Sequence, residues 1–108
     1  MAAANSMPEI SVVIFQREKW WIAQCLQYDI GAQAHTVEDV LYELSRSIMG
    51  HIAICDHHER RPFVDLPAAP AAYWRKFQGT TVRIESSDVP FRIPSPVHLP
   101  KPDIRMAA

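Results

Sequence analysis

The stretch Trp20–Leu44 constrains the fold more than any other part of the sequence. Trp20–Leu26 and Ile30–His35 have the composition of two strands joined by a bend, and a helix follows directly. Thr36 is placed to cap that helix, with two acidic residues in the first turn, where the helix dipole favours negative charge. Apolar residues then recur at helical spacing, at Val37, Val40, Leu41, Leu44, Ile48 and Ile52.

Further segments extend this strand–strand–helix unit. Ile10–Gln16 carries apolar residues at both parities, which predicts a strand covered on both faces or one near a dimer contact. The long helix should end near Cys55–His58. Pro70–Phe77 predicts a short helix with proline in the first helical position, and Thr80–Glu85 alternates as a strand. We therefore predict an α+β fold with a small antiparallel sheet, three strands plus a fourth, packed by one long helix and one short helix.

The last part of the sequence is rich in proline. Prolines at 90, 94, 96, 100 and 102 all occupy even positions, so an extended chain could pair only along its odd-residue edge. This pattern predicts an edge strand or an extended arm, and a disordered end is the other interpretation. The expected organisation is a disordered lead at 1–9, an α+β domain at 10–87 and a Pro-rich extended C-terminal arm at 88–108.

Composition and charge exclude several classes of protein. The chain is 48% hydrophobic with a net charge of −1, so no large electrostatic field gathers nucleic acid, and nucleic-acid binding is not expected. No secretory signal or membrane-spanning run is visible, which predicts a cytoplasmic protein with no membrane partner. Cys25 and Cys55 are expected to be thiols.

Candidate catalytic and metal-binding residues are few. His51, Cys55, His57 and His58 form half of a zinc pattern at most, and the interpretation we favour is a polar helix end. The predicted strands at 10–16 and 20–26 contain no Asp or Glu that could hold Mg²⁺ for a nuclease. A Cys25 nucleophile with His35 as base is conceivable, but a core thiol is the simpler interpretation. We therefore predict no enzyme, no metal and no cofactor.

The sequence indicates two alternative binding surfaces. Adjacent residues of a strand point to opposite faces, so a small sheet with one helical layer cannot bury both Trp20 and Trp21. The expected partner-binding residues are Trp20, Trp21, Trp74, Phe91 and Ile93, and a dimer through a strand edge or the arm is expected. The alternative is an RNA surface formed by Arg60, Arg61, Arg75 and Lys76, with Arg83 and the aromatic rings of Tyr73 and Trp74.

The central stretch resembles the HicB-like antitoxin family. The resemblance is carried by the strand Trp21–Gln24, the small-residue strand Ala32–Ala34 and the helix opening Thr36–Asp39. It implies three strands, a helix and a further strand, similar to a partial RNase H fold. Residues 63–77 look like a subgroup without a DNA-binding domain. The resemblance implies a non-catalytic protein-interaction module that sterically masks a small toxin-like protein, and the alternative is an RNA-binding or RNase H-like nuclease-related domain.

Overall fold

A computed structural model of the chain describes residues 9–85 and 101–108. The elements in chain order are β1 (Ser11–Arg17), β2 (Trp20–Cys25), β3 (Gly31–Ala34), α1 (Val37–His57), α2 (Ala71–Gln78), β4 (Arg83–Ile84) and β5 (Asp103–Met106). The five strands form one sheet in the order β3-β2-β1-β5-β4. The α+β class with a long and a short helix is therefore confirmed, but the sheet is mixed rather than antiparallel, because β5 runs parallel to β1.

Strand β1 is the central strand of the sheet, and four of its residues, Val12–Phe15, are buried. Alternate residues of a strand point to opposite faces. Val12 and Ile14 belong to the core that includes α1, and we call this side the α1 face. Val13 and Phe15 belong to the core that includes α2, on the side we call the α2 face. The doubly apolar sequence of β1 thus reflects burial under one helix on each face.

Helix α1 begins and ends as its sequence predicts. The Thr36 hydroxyl accepts a hydrogen bond of 3.0 Å from the Asp39 backbone N–H, and the helix ends at His57. Its buried stripe lies over β2 and β3 and consists of Val40, Leu41, Leu44, Ser45, Ile48 and Ile52. Gly50 faces open space, and the helix continues through it.

Helix α2 lies over β1 on the opposite face of the sheet. Phe77 is buried, and Tyr73 and Trp74 pack beside it against Val13 and Phe15. Pro70 is the N-cap of this helix rather than its first residue, and Gly79 follows as the C-cap. The aromatic residues of α2 therefore anchor the helix on the sheet.

The outer part of the sheet differs from the prediction. The expected strand at 80–85 shortens to Arg83–Ile84, and β5 inserts between β1 and β4. Ile104 of β5 is 1% exposed and packs in the core of the α1 face. The sheet therefore includes residues 103–106, which the expected boundary at residue 87 assigned to the arm. Prolines end at position 102, so Asp103–Met106 has the backbone donors needed to pair on both sides.

The Pro-rich segment connects two paired strands. The Lys101 ammonium lies 2.8 Å from the Glu85 carboxylate, so the two ends of this connection meet beside the β4–β5 pair. In the described part of the predicted arm, residues 103–106 form a strand paired on both sides rather than an edge strand. Phe91 and Ile93 lie outside the described residues, as do residues 1–8 of the expected lead.

Candidate functional site

The adjacent tryptophans of β2 point to opposite faces, as the sequence predicts. Trp21 packs against the core of the α1 face. Trp20 lies on the α2 face and stacks on His35, with ring centroids 4.2 Å apart and planes 23° from parallel. All three tryptophans are half-buried, Trp74 within the α2 core. Neither Trp20 nor Trp21 is fully buried, and His35 covers part of Trp20.

Helix α2 covers only part of the α2 face. It packs on β1, and within residues 9–85 and 101–108 no other helix covers the adjoining surface of β2 and β3. Ile22 and Gln33 form the floor of a shallow groove there, with Arg17 and Tyr73 at its border. We call this surface the open groove. Its position was not predicted, because the sequence does not indicate which strand α2 covers.

A side-chain amide shapes one end of the open groove. Gln24 is 7% exposed, and its Nε2 donates hydrogen bonds to Asp29 Oδ1 at 2.8 Å and to the Cys25 carbonyl at 3.1 Å. Gly31 lies opposite Gln24 on β3, where a Cβ would come within 2.6 Å of Gln24 Oε1. The glycine therefore leaves the space in which Gln24 ties β2 to the following bend.

Strand β3 is one edge of the described sheet, so the groove has an open border. The Cys25 N–H donates to the Ile30 carbonyl at 2.8 Å, which fixes the alternation of bonded pairs between β2 and β3. By that alternation, Gly31 and Gln33 direct their N–H and C=O groups away from β2. The Asp29 N–H donates to the Pro67 carbonyl, so the loop after α1 closes one end of this edge. The outward groups of Gly31 and Gln33 can accept a further strand.

Two cations meet beside the groove. The Arg17 guanidinium lies 5.7 Å and the Lys76 ammonium 4.7 Å from the centre of the Phe15 ring. Phe15 itself is 2% exposed, so the two side chains cover its outer side. Lys76 was predicted as a nucleic-acid contact, whereas Arg17 was not predicted as a site residue. Strand alternation could have indicated it, because residues 15 and 17 lie on the same face of a strand.

The predicted RNA surface is divided. Arg60 and Arg61 follow the end of α1, and Arg60 pairs with Asp65. Arg75 and Lys76 lie on α2, which packs on the other face of the sheet. Arg83 of β4 lies 3.9 Å from Asp103. The structure therefore does not bring the expected cations together as one patch.

Arg105 is a cation with a structural role. Arg105 of β5 lies over the Phe77 ring at 4.1 Å and donates to the carbonyls of Phe77 and Thr80 at 3.4 and 3.3 Å. These carbonyls lie at the C-terminal end of α2, where a cation is favoured. Asp103 neutralises Arg105 at 3.2 Å. Arg105 thus ties the end of α2 to β5.

The histidine and cysteine cluster at the end of α1 holds the following loop. His51 Nε2 accepts a hydrogen bond of 2.9 Å from the Phe63 backbone N–H, and Cys55 Sγ lies 3.5 Å from the same nitrogen. Phe63 also stacks on Tyr28 with centroids 4.5 Å apart. Within residues 9–85 and 101–108, no three His, Cys, Asp or Glu side chains are grouped as metal ligands would be. His57 and His58 touch edge to face and are exposed.

The conceivable Cys25–His35 pair is not formed. Cys25 is buried in the core of the α1 face, whereas His35 stacks on Trp20 on the α2 face. Burial raises the pKa of the Cys25 thiol above its usual value, which disfavours the thiolate. Burial likewise raises the pKa of the Tyr28 phenol. Cys25 and Cys55 are both free thiols.

Comparison with protein-family models, with curated proteins and with solved structures finds no match to this chain. The resemblance to the HicB-like family therefore stays a prediction carried by the residues quoted above. None of the helices in the described part of the chain is long and apolar enough to cross a membrane.

Proposed function

We propose that this chain is a cytoplasmic, non-catalytic protein-interaction module, which acts in the manner of a HicB-type antitoxin by covering the surface of a small toxin-like protein. The observation that carries the proposal is the open groove beside the edge of β3. Helix α2 covers β1 and leaves Ile22 and Gln33 at the surface, with no further strand of the described sheet beyond β3.

Such a surface suits recognition of a protein. An exposed strand edge provides backbone hydrogen bonds, and a neighbouring face with apolar and polar side chains selects the sequence that binds. Half-buried aromatic residues are the usual anchors of such contacts, and Trp20 is fixed in one orientation by its stack on His35. Steric masking requires shape and affinity alone, so it needs no catalytic group at the groove.

The RNA-binding alternative has less support. Its four expected residues lie on two faces of the sheet, as two separate pairs, and Arg60 is already neutralised by Asp65. A nucleic-acid surface ordinarily presents its cations along one continuous track. The surface around the open groove is smaller than such a track and mixes apolar with amide groups.

Affinity capture from the cells that make this chain tests the proposal. The bait variants are Gln33→Pro, which removes an outward N–H of β3, and Trp20→Ala, which removes the indole that lies on the same face of β2 as Ile22. Tyr42→Ala is the matched control, because Tyr42 is an exposed aromatic residue on α1, 51% accessible. We expect one small protein to be retained by the wild type and the control and lost with both test variants.

Masking is then checked with the captured protein itself. Expressed alone, it should arrest growth, and co-expression of the wild-type chain should relieve the arrest while Trp20→Ala fails to do so. Equal capture by all four baits would place any contact elsewhere on the molecule. A captured protein without a harmful activity would remove the antitoxin-like role and leave only an interaction module.

A further inference from the structure

Charge is segregated on this nearly neutral molecule. Helix α1 carries the acids Glu38, Asp39, Glu43 and Asp56 against the single cation Arg46. Helix α2, on the other face, carries Arg75 and Lys76 and no acidic residue. The end of β1 adds Arg17 to the same side. The α2 face thus carries Arg17, Arg75 and Lys76 although the whole chain has a net charge of −1, and Asp29 lies at the Gln24 end of the open groove.

Arg17, which lines the groove, and Lys76 on α2 have no acidic partner among the described residues, and neither do Lys19, Arg61 and Arg75. Five other cations have one, namely Arg46, Arg60, Arg83, Lys101 and Arg105. Arg17 and Lys76 instead each lie within 6 Å of the centre of one buried ring, Phe15. Like charges that are held close together repel each other, and an anion placed between them relieves that repulsion. This arrangement favours a negatively charged occupant.

Trp20 and Tyr73, which lie on the same side of the sheet as the groove, each pack against another ring. Trp20 stacks on His35, and Tyr73 packs against Phe15 with centroids 6.0 Å apart. Binding of single-stranded nucleic acid depends on open aromatic faces for the bases. The groove floor offers instead the aliphatic side chain of Ile22 and the amide of Gln33. These groups suit a peptide with apolar and polar side chains.

We propose that the open groove binds an acidic segment of the partner protein, in which carboxylates alternate with apolar side chains. The carboxylates pair with Arg17 and Lys76, and an apolar side chain rests on Ile22 beside Tyr73. This inference rests on the proposed function, because it specifies the chemistry of the partner at the same groove. It requires negative charge on the partner segment, whereas steric masking alone does not.

Fluorescence anisotropy on the full chain tests this chemistry. The probes are a short labelled peptide alternating glutamate and leucine, its glutamine–leucine counterpart and an oligouridylate of similar length. The glutamate peptide should bind at least tenfold more tightly than the glutamine peptide. Arg17→Gln and Lys76→Gln should each weaken its binding about tenfold, the usual effect of removing one charge-assisted contact. Arg61→Gln is the matched control, an exposed cation after α1, and should leave binding unchanged.

Each result separates the two proposals. Equal binding of both peptides, no binding of either, or indifference to Arg17→Gln and Lys76→Gln overturns the acidic segment. Tighter binding of oligouridylate overturns it in favour of nucleic acid. Self-association of the wild type that is lost in Lys76→Gln overturns the proposal in favour of the acidic α1 of a second copy.

If native partner capture needs Trp20 but neither cation, the acidic segment fails and the masking role stands. If the glutamate peptide binds as expected but no partner is captured, the masking role fails.

Discussion

Replacing Ile104 by alanine tests whether the end of the described chain belongs to the core. Ile104 is 1% exposed, lies opposite Val12 on β1 and opposite Ile84 on β4, and packs in the core of the α1 face. Alanine removes three carbon atoms, which costs about 2.4 kcal/mol in transfer free energy at ~0.8 kcal/mol for each. The cavity left behind raises the expected loss to roughly 3 kcal/mol, within the usual range for such substitutions. That is a large share of the ~5–15 kcal/mol by which a domain of this size is stable.

Urea unfolding followed by far-ultraviolet circular dichroism measures the effect. Ile54→Ala is the matched control, because Ile54 is the same residue type but 63% exposed on α1. We expect its free energy of unfolding to stay within about 0.5 kcal/mol of the wild type. An Ile104→Ala variant as stable as Ile54→Ala would refute the placement of β5 in the sheet. Its residues would then belong to a separate arm, as their proline-rich neighbourhood suggests.

Three more outcomes follow from named contacts. Arg105→Met should lower the free energy of unfolding by about 1–3 kcal/mol, because the hydrogen bonds from Arg105 to the Phe77 and Thr80 carbonyls are lost. Arg83→Met at an exposed site should have little effect, and equal losses would contradict the capping role. In the native protein a thiol reagent should modify Cys55 and reach buried Cys25 only on unfolding, and modification of both at one rate would contradict the burial of β2. Burial raises the pKa of Tyr28, so its contribution to stability is complete below the unfolded pKa of about 10 and is lost as pH rises through the folded pKa. Tyr28→Phe should therefore flatten the decline of the unfolding temperature at alkaline pH. An unchanged slope would refute this.

Part of the candidate site follows from near neighbours in the chain. The opposite orientation of Trp20 and Trp21 is a consequence of strand geometry, and their placement in a strand was evident from the alternating composition. The pairing of Trp20 with His35 needed the register between β2 and β3. That register depends on the bend at residues 27–29, where Gln24 reaches Asp29, and the residues of the bend do not specify a standard turn.

What the sequence alone determined is local. The cap at Thr36, the extent of α1, the doubly buried β1 and the aromatic contact of α2 all follow from residues within a few positions of each other. Propensity, capping and periodicity act over that range, so they can be evaluated without knowing the rest of the fold.

Tertiary structure alone decided the order of the strands and the composition of the groove. Asp103–Met106 is too short to be predicted as a strand from its sequence. It forms one because it pairs with the edges of both β1 and β4. Arg17 and Lys76 come together over Phe15 only because α2 folds back onto β1. Strand propensity reflects burial and cross-strand neighbours more than the backbone's own preference. Contacts between residues far apart in the chain therefore appear only when the whole sheet has formed.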